Sequence, residues 1–287
     1  MAIVFLALAS TPALPNPIQT RLIIDALVPP PPPENFSIAL QGNQSIVLSW
    51  ANTTGVYYWK LYVIDASSPV PPSGGFDYAQ ARIISPLTSL QWTDSFPLPP
   101  GARYYRLATV DVMGRETRDN TTLGSCTISL RSGLNGTWGR NMIGLCINAT
   151  LSADSFVKRL PLDRQEPSIT RLERSNPNRE YYISHTYSGG SYNNFSLKPG
   201  EGYLVYVPKS CTYTFVGRAF EQGMSLRLIA NNDSSLGRNY VSFPYTSSLP
   251  SAAALVRTFP YRLYEPSLTL LNRSNTSQEY WQPHAWG

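Results

Sequence analysis

Two histidines, three cysteines and ten Asn-x-Ser/Thr triplets are the residues of this 287-residue chain whose types and spacing can carry chemistry. An imidazole offers a base near neutral pH, or a metal ligand. His185 and His284 occupy equivalent positions in two matching segments, EPSITRLERSNPNREYYISHTYS (166–188) and EPSLTLLNRSNTSQEYWQPHAWG (265–287). A catalytic base serves one site, so the duplication predicts a structural, hydrogen-bonding histidine in each copy. No G-x-S-x-G, H-E-x-x-H, phosphate-binding loop or EF-hand loop occurs. Acids are few and dispersed, and no Cys-x-x-Cys or Cys/His cluster has metal-ligand spacing. The expectation is a protein that is not an enzyme and holds no metal or cofactor.

Cys126, Cys146 and Cys211 permit one disulfide and one leftover thiol, in any of three pairings. Asn-x-Ser/Thr is the acceptor of N-linked glycans on secreted proteins. Ten of the seventeen asparagines stand in it: Asn35, Asn43, Asn52, Asn120, Asn135, Asn148, Asn194, Asn232, Asn272 and Asn275. The Ser and Thr content alone would place about three there. None has Asp or Glu two residues upstream, the extension familiar from bacterial N-glycosylation, so the pattern points to an archaeal or eukaryotic type of machinery. The excess predicts an extracellular protein with N-linked glycans as partners.

The net charge of +5 comes mostly from scattered arginines, with only four lysines. No basic run resembles a nucleic-acid arm, so no nucleic-acid partner is expected. Three aromatic groups, Tyr57-Tyr58-Trp59, Tyr181-Tyr182 and Tyr280-Trp281, are of a type that stacks on sugar rings. Adjacent strand residues point to opposite faces, which predicts one core and one exposed ring in each pair.

The elements that position these residues are short strands. Hydrophobic residues make up 42% of the chain and charged residues 14%, with 25 prolines and 19 glycines and no long amphipathic helical pattern. That composition predicts an all-β protein of tandem sandwiches. In SIVLSW, Ile46, Leu48 and Trp50 alternate inward, as a half-buried strand requires. YYWKLYVI, LQWTD and YYRLATVDVMG follow at sandwich spacing. With Trp50 in the second strand, the tyrosine-rich third strand and Leu98-Pro99-Pro100-Gly101-Ala102-Arg103-Tyr104, residues 34–126 resemble a fibronectin type III domain. The resemblance implies a spacer or binding sandwich, with Tyr104 as a tyrosine corner.

Beyond it the chain repeats. Eleven of twenty-three positions are identical between the two histidine-bearing segments, GRNMIGL (139–145) matches GRNYVSF (237–243), and SLR recurs at 129–131 and 225–227. Each copy carries one short helical candidate, SADSFVKRL and SAAALVRTF. The first copy, 127–222, resembles a module recurrent in secreted bacterial and archaeal proteins. Gly139, Asn141, Ile143, Gly144, Phe195, Leu197, Pro199, Gly200, Gly202, Tyr203 and Val205 carry that likeness. The second copy, 223–287, holds no counterpart of the closing strands, and is therefore expected to be incomplete.

An unclaimed apolar segment lies at the other end. MAIVFLALAS opens residues 1–28, and Pro29–Pro33 follow as a strut of roughly 15 Å. The run lacks a preceding basic residue, which tells against a secretory signal, and its length is too short for a membrane span. Ile3, Val4, Phe5, Leu6 and Leu8 instead suit a strand buried on both faces. Their burial is worth roughly 8–15 kcal/mol gross. The expectation is donor-strand complementation: this arm completes the second copy of a neighbour, head to tail, resembling a pilus-like extracellular filament subunit. The partner is then the protein itself. Folding back onto its own chain is the competing arrangement, which the strut opposes by holding its ends apart. A monomeric carbohydrate-binding or adhesive surface module is the alternative function.

Overall fold

Side-chain alternation in the first strands is what lets two sheets share one core. The computed structural model describes residues 28–42, 45–66, 76–95, 101–133, 139–174, 176, 179–220, 227–230, 237–242, 251–259, 267–272 and 280–285. The first sandwich comprises β1 (Ser37–Gln41), β2 (Ser45–Ser49), β3 (Tyr58–Ala66), β4 (Arg82–Leu87), β5 (Gln91–Asp94), β6 (Gly101–Val110), β7 (Glu116–Arg118) and β8 (Leu123–Leu130). One sheet has the order β1-β2-β5, and β3, β4, β6, β7 and β8 belong to the facing one. Ile46, Leu48 and Trp50 point inward as their spacing predicts, onto Trp59, Leu61, Val63, Tyr105 and Leu107.

The proline stretch is docked rather than free. Pro30, Pro33 and Phe36 are buried while Pro29, Pro31 and Pro32 are exposed, a threefold period matching polyproline II. Thr109 Oγ1 donates to the Pro31 carbonyl at 2.6 Å. The strut therefore lies along the first sandwich, anchored by its own apolar edge.

The first repeat comprises β9 (Arg140–Gly144), β10 (Leu151–Ser152), α1 (Ala153–Val157), β11 (Ser168–Glu173), β12 (Tyr181–Thr186), β13 (Ser196–Leu197), β14 (Gly202–Tyr206) and β15 (Cys211–Arg218). Its main sheet has the order β12-β11-β14-β9. Ser152 caps α1 by accepting from Ser155 N at 3.1 Å, leaving Phe156 and Val157 to face the core with Leu145, Ile169, Tyr203 and Phe215.

The expected division at 126/127 falls inside β8. That strand pairs with β6 through Gly101↔Thr127 to Tyr105↔Leu123, and with β15 through Cys211↔Leu130 to Arg218↔Leu123. The result is one six-stranded sheet serving both units. A strand with both edges paired belongs to both cores, so no linker separates them. Cys126 and Cys146 form the disulfide, tying β8 to the segment after β9 across twenty residues, while Cys211 is free. Closing a loop of that length contributes about 3 kcal/mol.

The second repeat presents α2 (Ala252–Val256), β16 (Ser267–Asn272) and β17 (Tyr280–Ala285). Ser251 caps α2 as Ser152 caps α1. The β16–β17 register, Ser267↔Ala285 to Asn272↔Tyr280, reproduces that of β11–β12, Ser168↔Thr186 to Glu173↔Tyr181.

Candidate assembly site

The two repeats begin with the same local device. Gly139 and Gly237 both take left-handed φ values, +67° and +70°, which a side chain would strain. Asn141 two residues on accepts from Arg131 N at 2.9 Å, and its amide donates to Arg131 O and Gly139 O. Asn239 accepts from Ile229 N at 2.9 Å and donates to Ile229 O and Gly237 O. One side chain thus ties two neighbouring segments in each copy.

Between the copies, charge and backbone interlock. Glu180 is nearly inaccessible and binds Arg174 at 2.6 Å and Arg238 at 2.5 Å. Arg174 Nη1 also donates to the Arg238 carbonyl at 2.8 Å. The Glu180 hydrogen bond holds the Arg238 guanidinium further toward its charged form. Arg238 Nη1 donates to the Tyr182 hydroxyl at 3.1 Å, and Tyr240 donates to it at 3.3 Å. Burial first, and that phenol-to-phenol bond second, push the Tyr240 hydroxyl up. Gly202 N donates to Tyr240 O, and Ser242 N to Gly200 O, each at 2.9 Å. Those bonds make Glu201 and Val241 an antiparallel bridge.

The second repeat has a strand position that no described residue fills. In the first repeat β14 lies between β9 and β11: Gly202 faces Gly144, the β11 pairing stops at Thr170↔Leu204, and Gly202 N is bonded to Tyr240 O instead. The equivalents of Gly144 and Leu172 are Ser242 and Leu271. Among the described residues β16 pairs only with β17, on one edge. Ser242 and Leu271 line one cavity of about 420 Å³, backed by Ile128, Met142, Ile143 and Cys146 of the first repeat. Val241 N and O would each lie 3.0 Å from a Cβ on Gly202, so this backbone sits directly against the first repeat.

The residues singled out from sequence fall as follows. Ile3, Val4, Phe5, Leu6 and Leu8 lie outside the described residues, as do Asn43, Asn135, Asn232 and Asn275. Asn35, Asn52, Asn120, Asn148 and Asn194 are all exposed. Asn272 closes β16. His185 is 1% exposed; its Nδ1 lies 2.9 Å from the Tyr192 carbonyl and its Nε2 3.4 Å from Asp154 Oδ1. A carbonyl only accepts, so Nδ1 carries a proton. His284 lies in β17, paired to Leu268.

One aromatic expectation needs correction. Tyr181 and Tyr182 are both exposed, at 44% and 46%. β12 is the edge strand of its sheet, and Tyr182 meets Arg238 and Tyr240 of the second repeat. Tyr105 donates to the buried Asp94 carboxylate at 2.9 Å. Tyr104 enters the first-repeat core because β6 is buried on both faces. The Tyr57-Tyr58-Trp59 group does divide, with Tyr57 66% exposed and Trp59 6%.

The interlock of Arg174, Glu180 and Arg238 had not been anticipated. Its trace lay in the repeat itself, since Arg174, Glu180 and Arg238 are each matched, by Arg273, Glu279 and Arg140. Among the described residues no group of three or more His, Cys, Asp or Glu is placed to hold a metal. No described helix is long and apolar enough to cross a membrane.

Fold and site together define an all-β protein of tandem antiparallel sandwiches, the first of fibronectin type III-like form. No known family model and no curated protein matches the chain. Among solved structures it is similar to a Fn3-like protein from Clostridium thermocellum, with 22% identity over 31% of this chain and 84% of that one, TM-score 0.24. It is similar also to chitinase ChiA74 from Bacillus thuringiensis, with 13% identity over 67% of this chain and 27% of that one, TM-score 0.24. A third likeness is to the FN1-FN3 domains of chicken CNTN1, with 12% identity over 67% of each chain, TM-score 0.22.

Proposed function

We propose that this protein is a non-enzymatic structural subunit of an extracellular, N-glycosylated filament, joined head to tail when a strand from one subunit completes the second repeat of the next. The observation that carries the reading is β16, which among the described residues pairs only with β17, on one edge, beside the cavity that Leu271 and Ser242 line. Unpaired strand edges are templates for another chain, and a contact between different faces propagates as a filament where its rotation does not close into a ring. The ten Asn-x-Ser/Thr triplets support the extracellular setting.

Electron microscopy of purified full-length protein tests it. Regular fibres are expected, and removal of residues 1–28 should abolish them. Truncated protein that still polymerises with the same helical repeat would overturn the strand-exchange joint. The exposed Tyr181, Tyr182 and Trp281 favour a second reading, a carbohydrate-binding or adhesive module. Dispersed particles that bind a polysaccharide, with loss of binding in Tyr182→Ala, would decide for it.

A further inference from the structure

We infer that N-linked glycans on Asn35 and Asn52 lie over the apolar end of the first sandwich, with their sugar rings packed against Tyr57, Val112 and Met113; this rests on the glycoprotein part of the reading above and gives two of its sugars a seat. Four of the twelve exposed large apolar side chains among the described residues collect where β2 leaves for β3 and β6 turns into β7. They are Tyr57, Leu90, Val112 and Met113, exposed by 66%, 42%, 76% and 69%. Backbone bonds fix their common location: Tyr57 N donates to Val110 O at 2.7 Å, and Trp50 N to Leu90 O at 3.0 Å. Apolar side chains scattered singly are ordinary on a surface, whereas a gathered set marks a surface that something covers.

The protruding pair is held out by its own turn. Asp111 Oδ1 accepts from Met113 N and Arg115 N, each at 2.9 Å, and Arg115 Nε donates to Asp111 Oδ2 at 2.7 Å. Gly114 N closes the turn onto Asp111 O at 3.0 Å, at a left-handed φ of +78° that glycine adopts without strain. The turn thus presents Val112 and Met113 to the outside as a fixed pair. The Tyr57 ring is set edgewise on Tyr58, with centroids 5.9 Å apart.

Two glycan acceptors stand at the same end. Val56 N donates to Thr53 O at 3.4 Å, a tight turn with Asn52 on one arm and Tyr57 on the other. Ala51 N donates to Glu34 O at 2.9 Å, which sets Asn35 beside Asn52 where β1 and β2 run out. Both asparagines are exposed, and so are Ser37 and Thr54, the hydroxyl residues that complete the two triplets. Phe36 and Thr53, the middle residues, are buried.

A pyranose ring has a face of C–H groups, which packs on apolar and aromatic side chains while its hydroxyls stay in water. Such contacts are weak between free molecules, but a sugar tethered at Asn52 is held at high effective concentration beside Tyr57. Facing sheets lie about 10 Å apart, so sugars rooted on the β1–β2 side need cross only that gap to reach Val112 and Met113. A bulky glycan on each acceptor also keeps a protein surface from lying flat against this end.

Peroxide oxidation of Met113, followed by peptide mapping of full-length protein from its native source, tests the cover. The same map gives the occupancy of Asn35 and Asn52. Asn35→Gly, which suits the left-handed φ of +54° there, combined with Asn52→Gln, should oxidise Met113 about fivefold faster than wild type. Met142, half-buried in the first repeat, should keep its rate and so reports an intact fold. Asn52→Gln alone leaves the bend at Asn35 untouched and should give about a twofold rise, so the answer does not depend on the pair folding. Sugar on both asparagines with equal Met113 oxidation in wild type and Asn52→Gln would overturn the cover and leave the glycoprotein standing. Sugar on other triplets but on neither Asn35 nor Asn52 would overturn the cover alone. Sugar on none would overturn both.

Discussion

The Glu180 carboxylate of the first repeat holds the Arg238 guanidinium of the second while its other oxygen binds Arg174. Glu180 and Arg174 are both almost fully buried, at 5% and 9% side-chain exposure. A buried pair broken on one side leaves an uncompensated charge. Glu180→Ala should therefore destabilise the chain by about 3 kcal/mol, measured by chemical denaturation. Arg238→Ala, on the exposed side of the same carboxylate, should cost much less. Equal losses would mean that the interlock is not organised around Arg174.

Gly144 and Ser242 report the fit between repeats directly. A Cβ on Gly144 would sit 1.7 Å from Ser242 Oγ and 1.9 Å from Ser242 Cβ. A Cβ cannot rotate away from its backbone, so Gly144→Ala should push the second repeat off the first and speed its proteolysis. Ser242→Gly should relieve most of the loss in the double variant. Independent, additive effects of the two changes would show that the contact is not made in solution.

Glu116 should make the first sandwich acid-sensitive. Burial alone would raise its pKa, but hydrogen bonds from Lys60, Arg118 and Tyr62 outweigh that and lower it from the ordinary 4.5 to about 2. Because the folded value is depressed, the stabilisation is present above pH 4.5 and is lost as pH falls toward 2. Thermal melts of the wild type and Glu116→Gln should differ at pH 7 and converge across that window. Parallel profiles would rule the cluster out as the titrating group.

His185 is expected to act by holding the Tyr192 loop and Asp154 together. His185→Ala should cost about 1 kcal/mol by removing a buried ring and leaving the Tyr192 carbonyl without its donor. His185→Gln should recover part of that, and fibre geometry should be unchanged in the Gln variant. A catalytic turnover abolished by His185→Gln would revive an enzymatic reading.

Sugar on the exposed Asn35, Asn52, Asn120, Asn148 and Asn194 should appear as mass. Protein purified from its native source should exceed the bare 31.9 kDa by intact mass spectrometry. Asn194→Gln should remove its glycan and also weaken the start of α1, since Asn194 Oδ1 accepts from Asp154 N at 3.0 Å. A mass equal to the polypeptide alone would refute the glycoprotein.

Local periodicity was enough to specify some of this molecule. The alternation in SIVLSW assigns one face of β2 to a core whatever lies opposite, because the strand period is two. The matched Ser152 and Ser251 predict two helix starts, since a cap acts within its own turn. The repeat, read from identity alone, carries the common register of β11–β12 and β16–β17. Other features depend on neighbours distant in the chain. That β8 serves two cores follows from β15 finding its free edge some eighty residues later, a pairing that β8's own pattern does not encode. Cys126 joins Cys146 because β8 and the end of β9 are brought side by side, while Cys211 lies across β8 from Leu130. Tyr182 is exposed because β12 ends its sheet, and it finds Arg238 only because the second repeat docks there. An alternating pattern states which side of a strand avoids water; which strand covers that side is decided by whichever apolar faces and unpaired edges can be satisfied together.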